Sequence, residues 1–214
     1  MEVYLIRHAQ TKSNLKGIDF DDRKATNLNK KGIAQAKKLA HKFVKVKIDK
    51  IFISESRRSY QTALPLIKLK SVPVVRDARL NEADFGIFSG LTFEMAKRKY
   101  PEIYSTRLVD KWNYRIPKGE SFKDVSKRLD SFLKNLKKEP SSIRTVLIIT
   151  HGTVLKVFLV KFLKFSLKKA DSVYFKNTSS SSFKFKNRKM KAETINGSLY
   201  PIRDTLKNKG ISQR

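Results

Sequence analysis

Val3-Tyr4-Leu5-Ile6-Arg7-His8-Ala9-Gln10-Thr11 runs four consecutive apolar side chains into an arginine–histidine pair. A short apolar run without polar alternation suits a strand buried on both faces, as in the sheet of an α/β protein. The pattern returns late in the chain, where the apolar residues 146–149 lead into Thr150-His151-Gly152-Thr153. In an open α/β sheet, ligands bind beyond the carboxyl ends of the strands. Two strands that each end in a histidine can therefore bring both imidazoles into one crevice. The one other histidine of the chain, His41, sits among Lys37, Lys38 and Lys45 on what reads as the wet face of a helix, and is expected to be inert.

Between these two strands the periodicity switches back and forth. Ile33, Ala36, Ala40 and Phe43 recur at helical spacing over 30–44. Ile51-Phe52-Ile53 reads as a second buried strand, followed by a helix through Tyr60 and Leu64. Residues 72–75 form a third strand, which Pro73 confines to a sheet edge or a strand start. A helix over 92–100 stops before Pro101. Ser121, with Asp124 three residues on, resembles a capping box, and it opens a helix striped by Phe122, Val125, Leu129, Phe132, Leu133 and Leu136. A mostly buried helix covers 153–165. Residues 180–186 and 190–195 then alternate enough for a hairpin at the sheet edge, turning near Asn187 and Arg188. Strands alternating with helices mean an α/β sheet covered on both faces. Neither an internal repeat nor a linker interrupts the chain, so residues 1–214 read as one domain.

Composition narrows the function classes. A hydrophobic fraction of 40% supports a packed core, and the absence of cysteine rules out a disulfide framework or thiolate metal site. The longest apolar stretch, 154–165, is broken by Lys156, Lys161 and Lys164, so no membrane span and no membrane partner are expected. The first residues read as a strand and not as a signal peptide, which makes a cytoplasmic location the expectation. Lys and Arg number 48 against 19 Asp and Glu, a net charge of +29 that draws the protein toward anions. These cations spread from Lys12 to Lys209 without a dense arm. Attraction to nucleic acid is expected only through non-specific charge, as a basic binding protein on an inactive enzyme fold would show.

The residues near the two histidines carry what a phosphoryl group needs. Arg7 adjoins His8, and Arg58 starts the helix after the second strand; guanidinium forks match phosphate oxygens in bidentate geometry. Glu82, in Leu80-Asn81-Glu82-Ala83-Asp84-Phe85-Gly86, is the candidate acid. The segment from Arg7-His8 to Asn14, Arg58 with Gln61-Thr62-Ala63, Glu82 with Phe85-Gly86, Gly119-Glu120-Ser121 and His151-Gly152 resemble, in order, the motifs of the histidine phosphatase (phosphoglycerate mutase-like) superfamily. The segment 28–36, with Gly32, Gln35 and Ala36, resembles the first helix of that family.

The resemblance implies a Rossmann-like three-layer α/β/α fold with a mostly parallel central sheet and a small helical cap insertion over about 81–119. It implies a phosphomonoester hydrolase that acts on a small phosphorylated substrate. His8 attacks phosphorus and becomes phosphohistidine. Arg7, Arg58 and His151 neutralise the transferring group, Asn14 and Gly152 help bind it, and Glu82 serves as acid and then base. No metal and no other cofactor are implied, because acidic residues do not cluster as ligands and cations already supply the neutralisation.

Departures from the family pattern bear on the reaction. Ala9 replaces the usual glycine after the Arg-His pair, Gln10 stands where glutamate is common, and Thr150 is a mild variant. Mutases of the superfamily usually place a tyrosine and a lysine at the positions of Phe85 and Phe93. They also place paired arginines after the tryptophan that Trp112 resembles, where this chain has Asn113 and Tyr114. Hydrolysis is therefore favoured over phosphoglycerate mutase activity, with Arg115 kept as a further candidate for substrate contact.

Overall fold

The computed structural model describes residues 1–20, 26–186 and 189–199. The first apolar run forms β1 (Glu2–Arg7), at the centre of a sheet with β2 (Lys50–Ile53), β3 (Val74–Arg76), β4 (Thr145–Thr150), β5 (Ser180–Lys186), β6 (Lys189–Ile195) and β7 (Ser198–Leu199). The strand order is β3-β2-β4-β1-β5-β6-β7. The first four strands in this order pair in parallel, and the last three attach through antiparallel ladders. β3 is an edge strand, as Pro73 requires: its missing N–H costs nothing there, while its carbonyl accepts from Ile51 N at 2.9 Å. The expected turn at Asn187 and Arg188 lies outside the described residues, but the hairpin strands on either side are present.

Apolar runs without alternation make sense because both faces of the parallel strands are covered. On one face Val3, Leu5, Phe52, Val146 and Ile148 pack with α6 (Phe122–Leu136) and α7 (Gly152–Leu163). On the other, Ile6, Ile51, Ile53, Leu147 and Ile149 pack with α2 (Lys30–Lys42) and α3 (Arg57–Lys70). Fully burying each such side chain contributes about 1.5–3 kcal/mol. The chain thus has the three-layer α/β/α arrangement, with a mixed sheet in the middle. The capping box before α6 forms as expected: Ser121 Oγ accepts from Asp124 N at 3.2 Å, and Asp124 Oδ2 accepts from Ser121 N at 3.0 Å. All six residues of the expected stripe on α6 are buried.

The α2 stripe differs from the expectation. Ile33 is half exposed, while Gly32 and Leu39 are buried beside Ala36 and Ala40. The reason is a close approach. A Cβ on Gly32 would lie 2.0 Å from the carbonyl oxygen of Gln10, so the helix turns its glycine edge onto the loop after β1. That turn carries Ile33 outward.

Three short helices escaped the periodicity reading altogether. α1 (Lys12–Leu15) is a single turn after the loop, α5 (Pro101–Val109) begins at the proline expected to end structure, and α8 (Leu167–Ser172) follows α7. Proline fits the first helical position, where its N–H would be unpaired anyway. α4 (Phe93–Lys99) and α5 lie in the 81–119 stretch between β3 and α6. No helix among the described residues is long and apolar enough to cross a membrane.

Candidate active site

The β1–β4 register sets the site. Arg7 pairs with Thr150, and His8 N donates to Thr150 O at 2.9 Å, so the next residue on each strand is a histidine at the same edge. The His8 and His151 rings are 5.1 Å apart between centroids, tilted by 56°. Both are buried, with exposures of 2% and 0%. β2 lies beside β4, and Ser54, just past its end, donates its N–H to Ile149 O at 3.2 Å.

Hydrogen-bond partners decide the tautomers. His8 Nδ1 lies 2.8 Å from Ala9 O. A carbonyl only accepts, so Nδ1 carries the proton and Nε2 keeps a lone pair. At His151, Arg58 Nε donates to Nδ1 over 3.4 Å, which leaves the proton on Nε2, 2.8 Å from Ser54 Oγ. Burial pushes the His8 pKa well below its ordinary value, helped by the positive charges of Arg58 and Arg7. His151 is lowered well below the ordinary value too, by burial first and then by Arg58 and the other cations nearby. Both imidazoles are neutral at physiological pH.

The other predicted residues gather around this pair. Arg7 Nη1 donates to Phe175 O at 2.6 Å, and Arg7 Nε is buried without a hydrogen-bond partner among the described residues. Arg58, 1% exposed, occupies the first turn of α3 behind its Ser56 cap. Glu82 Oε1 accepts from Ala83 N at 2.9 Å and Oε2 from Thr153 N at 3.3 Å. Gly152 opens α7; a Cβ there would only touch Arg7 Nε at 3.8 Å. Arg7, His8, Asn14, Glu82 and Gly152 line one cleft of about 330 Å³. Arg58 and His151 form the buried layer beside His8, in contact with each other and not on the cleft wall. A larger groove, about 730 Å³, lies at the amino ends of β1 and β4, lined by Lys127, Lys134 and Phe185. It holds neither histidine nor arginine and is remote from this chemistry. Among the described residues, no three His, Asp or Glu side chains gather as metal ligands.

The family-like positions outside the cleft brace it. Gln35 Oε1 accepts from Gln10 N at 2.9 Å, Thr62 Oγ1 accepts from Ala9 N at 2.9 Å, and Gln61 Oε1 accepts from Leu28 N at 2.9 Å. Arg128 donates to Glu82 O at 3.2 Å and to Glu120 Oε1 at 3.1 Å, tying the Glu82 loop to α6. Arg115 pairs with Asp124 at 2.8 Å and does not line the cleft; Asn113 bonds Asp110. Phe85 and Phe93 do line it. His41 is exposed on α2.

Sequence reasoning missed three cleft residues and one residue that braces the cleft from behind. Arg107, on the unforeseen helix α5, has its guanidinium between the rings of Phe20 and Phe122, at 5.4 and 5.9 Å. Lys111 and Lys156 both reach Asp171, at 2.5 and 3.2 Å. Asn177, in the loop before β5, donates to His8 O at 2.9 Å. Only Lys111 stands next to a family-like position, Trp112, and in so lysine-rich a chain a basic residue carries little signal.

The sequence pattern of the histidine phosphatase superfamily, branch 1, matches residues 3–198. The chain belongs to that superfamily. This histidine phosphatase is 33% identical over 175 residues to a Hydrogenobacter thermophilus protein provisionally named phosphoserine phosphatase 2, covering 82% of this chain and 85% of that one. It is 35% identical over 164 residues to human 6-phosphofructo-2-kinase/fructose-2,6-bisphosphatase 4, covering 75% of this chain but only 32% of that longer protein. Its fold matches the crystal structure of the α-ribazole phosphatase from Shigella flexneri with a TM-score of 0.82 at 25% identity, covering 93% and 98% of the two chains.

The neutral histidines make stability depend on pH. In the unfolded chain each binds a proton near pH 6.5, while the folded protein holds both pKa values well below that. The unfolded state therefore binds more protons below pH 6.5, and this part of the stability, complete above that pH, is lost as pH falls. The expected slope is up to about 1.4 kcal/mol per pH unit per histidine. Urea unfolding in phosphate-free buffer from pH 7.5 to 5.5 should show this decline, and His151→Asn should flatten it. A wild-type stability constant across that range would mean that the pair titrates normally.

Proposed function

We propose that the protein hydrolyses phosphomonoesters through a phosphohistidine formed on His8. The observation that carries this reading is the fixed His8 tautomer: Ala9 O takes the Nδ1 proton, so the Nε2 lone pair remains available beside Arg7, Arg58 and His151. In the first step Nε2 bonds to phosphorus, the ester P–O bond breaks, and the leaving oxygen takes a proton from Glu82. The Nδ1–H···O bond then shares the positive charge that develops on the ring. In the second step water attacks phosphorus and gives its proton to the Glu82 carboxylate. The P–N bond breaks, and its electrons return to Nε2. Arg7 and Asn14 hold the equatorial oxygens from the cleft wall, Arg58 and His151 help neutralise the group from the buried layer behind it, and the N-terminus of α7 at Gly152 adds its dipole. Residues 81–119 act as a cap on a single cytoplasmic domain. Phosphoglycerate mutase activity is disfavoured, because Asn113 and Arg115 are engaged with acids outside the cleft.

A finer reading of the substrate rests on Arg107. This cation is 8% exposed, lines the cleft, and has no hydrogen bond or ion pair among the described residues. Burial lowers its pKa, the mark of a buried cation short of compensation. Four cations line the cleft, Arg7, Arg107, Lys111 and Lys156, against the three carboxylates of Asp19, Glu82 and Asp171, an excess of one, and Asp171 is already engaged by both lysines. The substrate accordingly bears a second anionic group, a carboxylate or a second phosphate. The names of the two sequence relatives describe such substrates, phosphoserine and fructose 2,6-bisphosphate.

His8→Ala should abolish hydrolysis of p-nitrophenyl phosphate in a protein that still folds, and the wild-type rate should survive EDTA and fall with vanadate. Substantial turnover by folded His8→Ala would sink the mechanism, and a strict need for added Mg²⁺ would place the protein in another phosphatase class. Glu82→Gln should slow alkyl phosphates by roughly 10²–10⁴-fold and aryl phosphates much less, since only alkoxides need the proton. A ratio that stays flat across leaving groups would transfer the acid role to Asp84. Arg107→Leu should raise KM for doubly anionic esters at least about tenfold, while leaving p-nitrophenyl phosphate and α-ribazole phosphate nearly unchanged. Equal losses on all three would remove Arg107 from substrate selection.

A further inference from the structure

We infer that Asn177 is a positioning residue that fixes which way the Asn14 amide faces; this rests on the proposed role of Asn14 as a phosphate ligand. Asn177 lies in the loop between α8 and β5, far along the chain from the residues it touches. Its Nδ2 donates one hydrogen to His8 O at 2.9 Å and the other to Asn14 Oδ1 at 3.2 Å. The His8 carbonyl only accepts, so the Asn177 amide has one allowed orientation. Asn14 Oδ1 also accepts from Thr11 N, at 3.3 Å, as part of the capping box of α1.

Two donors therefore converge on one oxygen. Flipping the Asn14 amide would set its NH₂ group against the Thr11 N–H and the Asn177 NH₂, donors against donor. The oxygen is locked inward and Nδ2 is left for the cleft, which Asn14 lines. That polarity matters because a phosphoryl oxygen can only accept. With the capping contact alone, at 3.3 Å, one weak bond would hold the orientation; Asn177 supplies the second. The same loop is bound to the nucleophile strand by Thr178 N donating to Arg7 O at 2.9 Å and by the His8 carbonyl contact. The loop is thus in register with the nucleophile as well as with Asn14.

The test is a double-mutant cycle of Asn14→Ala and Asn177→Ala, with Asn177→Asp as a same-sized variant that keeps an acceptor but loses the donors. The readouts are kcat/KM on p-nitrophenyl phosphate and the Kd of orthovanadate by calorimetry, alongside thermal unfolding. Asn177→Ala should weaken both readouts about tenfold in the wild-type background and less than about threefold when Asn14 is already alanine. Asn177→Asp should lose at least as much as Asn177→Ala, because its carboxylate faces two oxygens. A merely structural loop residue would lower the unfolding temperature and weaken both backgrounds equally. Equal losses in both backgrounds, or no loss in a folded Asn177 variant, would overturn the inference. If Asn14→Ala itself leaves vanadate binding unchanged, the premise about Asn14 falls and the inference with it. Turnover lost in His8→Ala would still support the hydrolase reading in that case. Vanadate binding reads the inference even where no ester is turned over.

Discussion

The parallel ladder between β1 and β4 is the constraint on which the rest depends. Its register, Arg7 opposite Thr150, decides that the chain leaves both strands at the same edge with a histidine in the next position. A slip of one residue would turn every side chain of β1 to the other face. It would also break the alternation that sends Leu5 to one core and Ile6 to the other. The placement of the two histidines and the hydrophobic layers are therefore specified by one set of hydrogen bonds, and neither can drift without the other. Ser54, past β2, extends the same logic by one strand and gives His151 its partner.

Around this frame, the loop after β1 is held from three directions. The glycine edge of α2 lies against Gln10, Thr62 on α3 holds Ala9 N, and Asn177 holds His8 O. The two helices bury an apolar face on the sheet and turn small or polar residues to the loop, while Asn177 reaches it from the loop before β5. This is why His8, the proposed nucleophile, can follow the strand without being loosely held: its own carbonyl, its N–H and the N–H of Ala9 are all bonded. Precise placement of reacting groups is worth several kcal/mol of barrier, and rigid elements are what provide it.

The parallel strands, α6 and its capping box were legible in the sequence because each has a strong local signature: unbroken apolar runs, a 3.6-residue stripe, a Ser-to-Asp spacing. The two histidines were legible because they follow such runs. Arg107, Asn177 and the rotation of α2 were not. Arg107 sits on a helix begun by Pro101, a residue that reads as an end when its tertiary setting is unknown. Ile33 was placed in the core by spacing alone, whereas the contact between Gly32 and Gln10 O rotated the helix. Asn177 touches residues that are 163 and 169 positions away. Such contacts have no periodicity, so only the folded chain shows them.

The +29 charge and the cleft are separate features. Most of the excess is lysine scattered over the surface, where an ionic strength of 0.15 M screens each charge within about 8 Å. At the cleft the buried cations are arginines: Arg58 at 1% exposure and Arg107 at 8%. Guanidinium remains charged where burial would discharge an ammonium, and its planar fork matches two oxygens at once. The two lysines that do line the cleft, Lys111 and Lys156, are held in place by Asp171. Burial of the rings, helped by the charge of Arg58 beside them, keeps both imidazoles neutral. A neutral His8 is the form that can attack phosphorus. The burial of Arg58 and the neutrality of the imidazole beside it thus have one cause, and both favour the phosphoryl transfer proposed for His8.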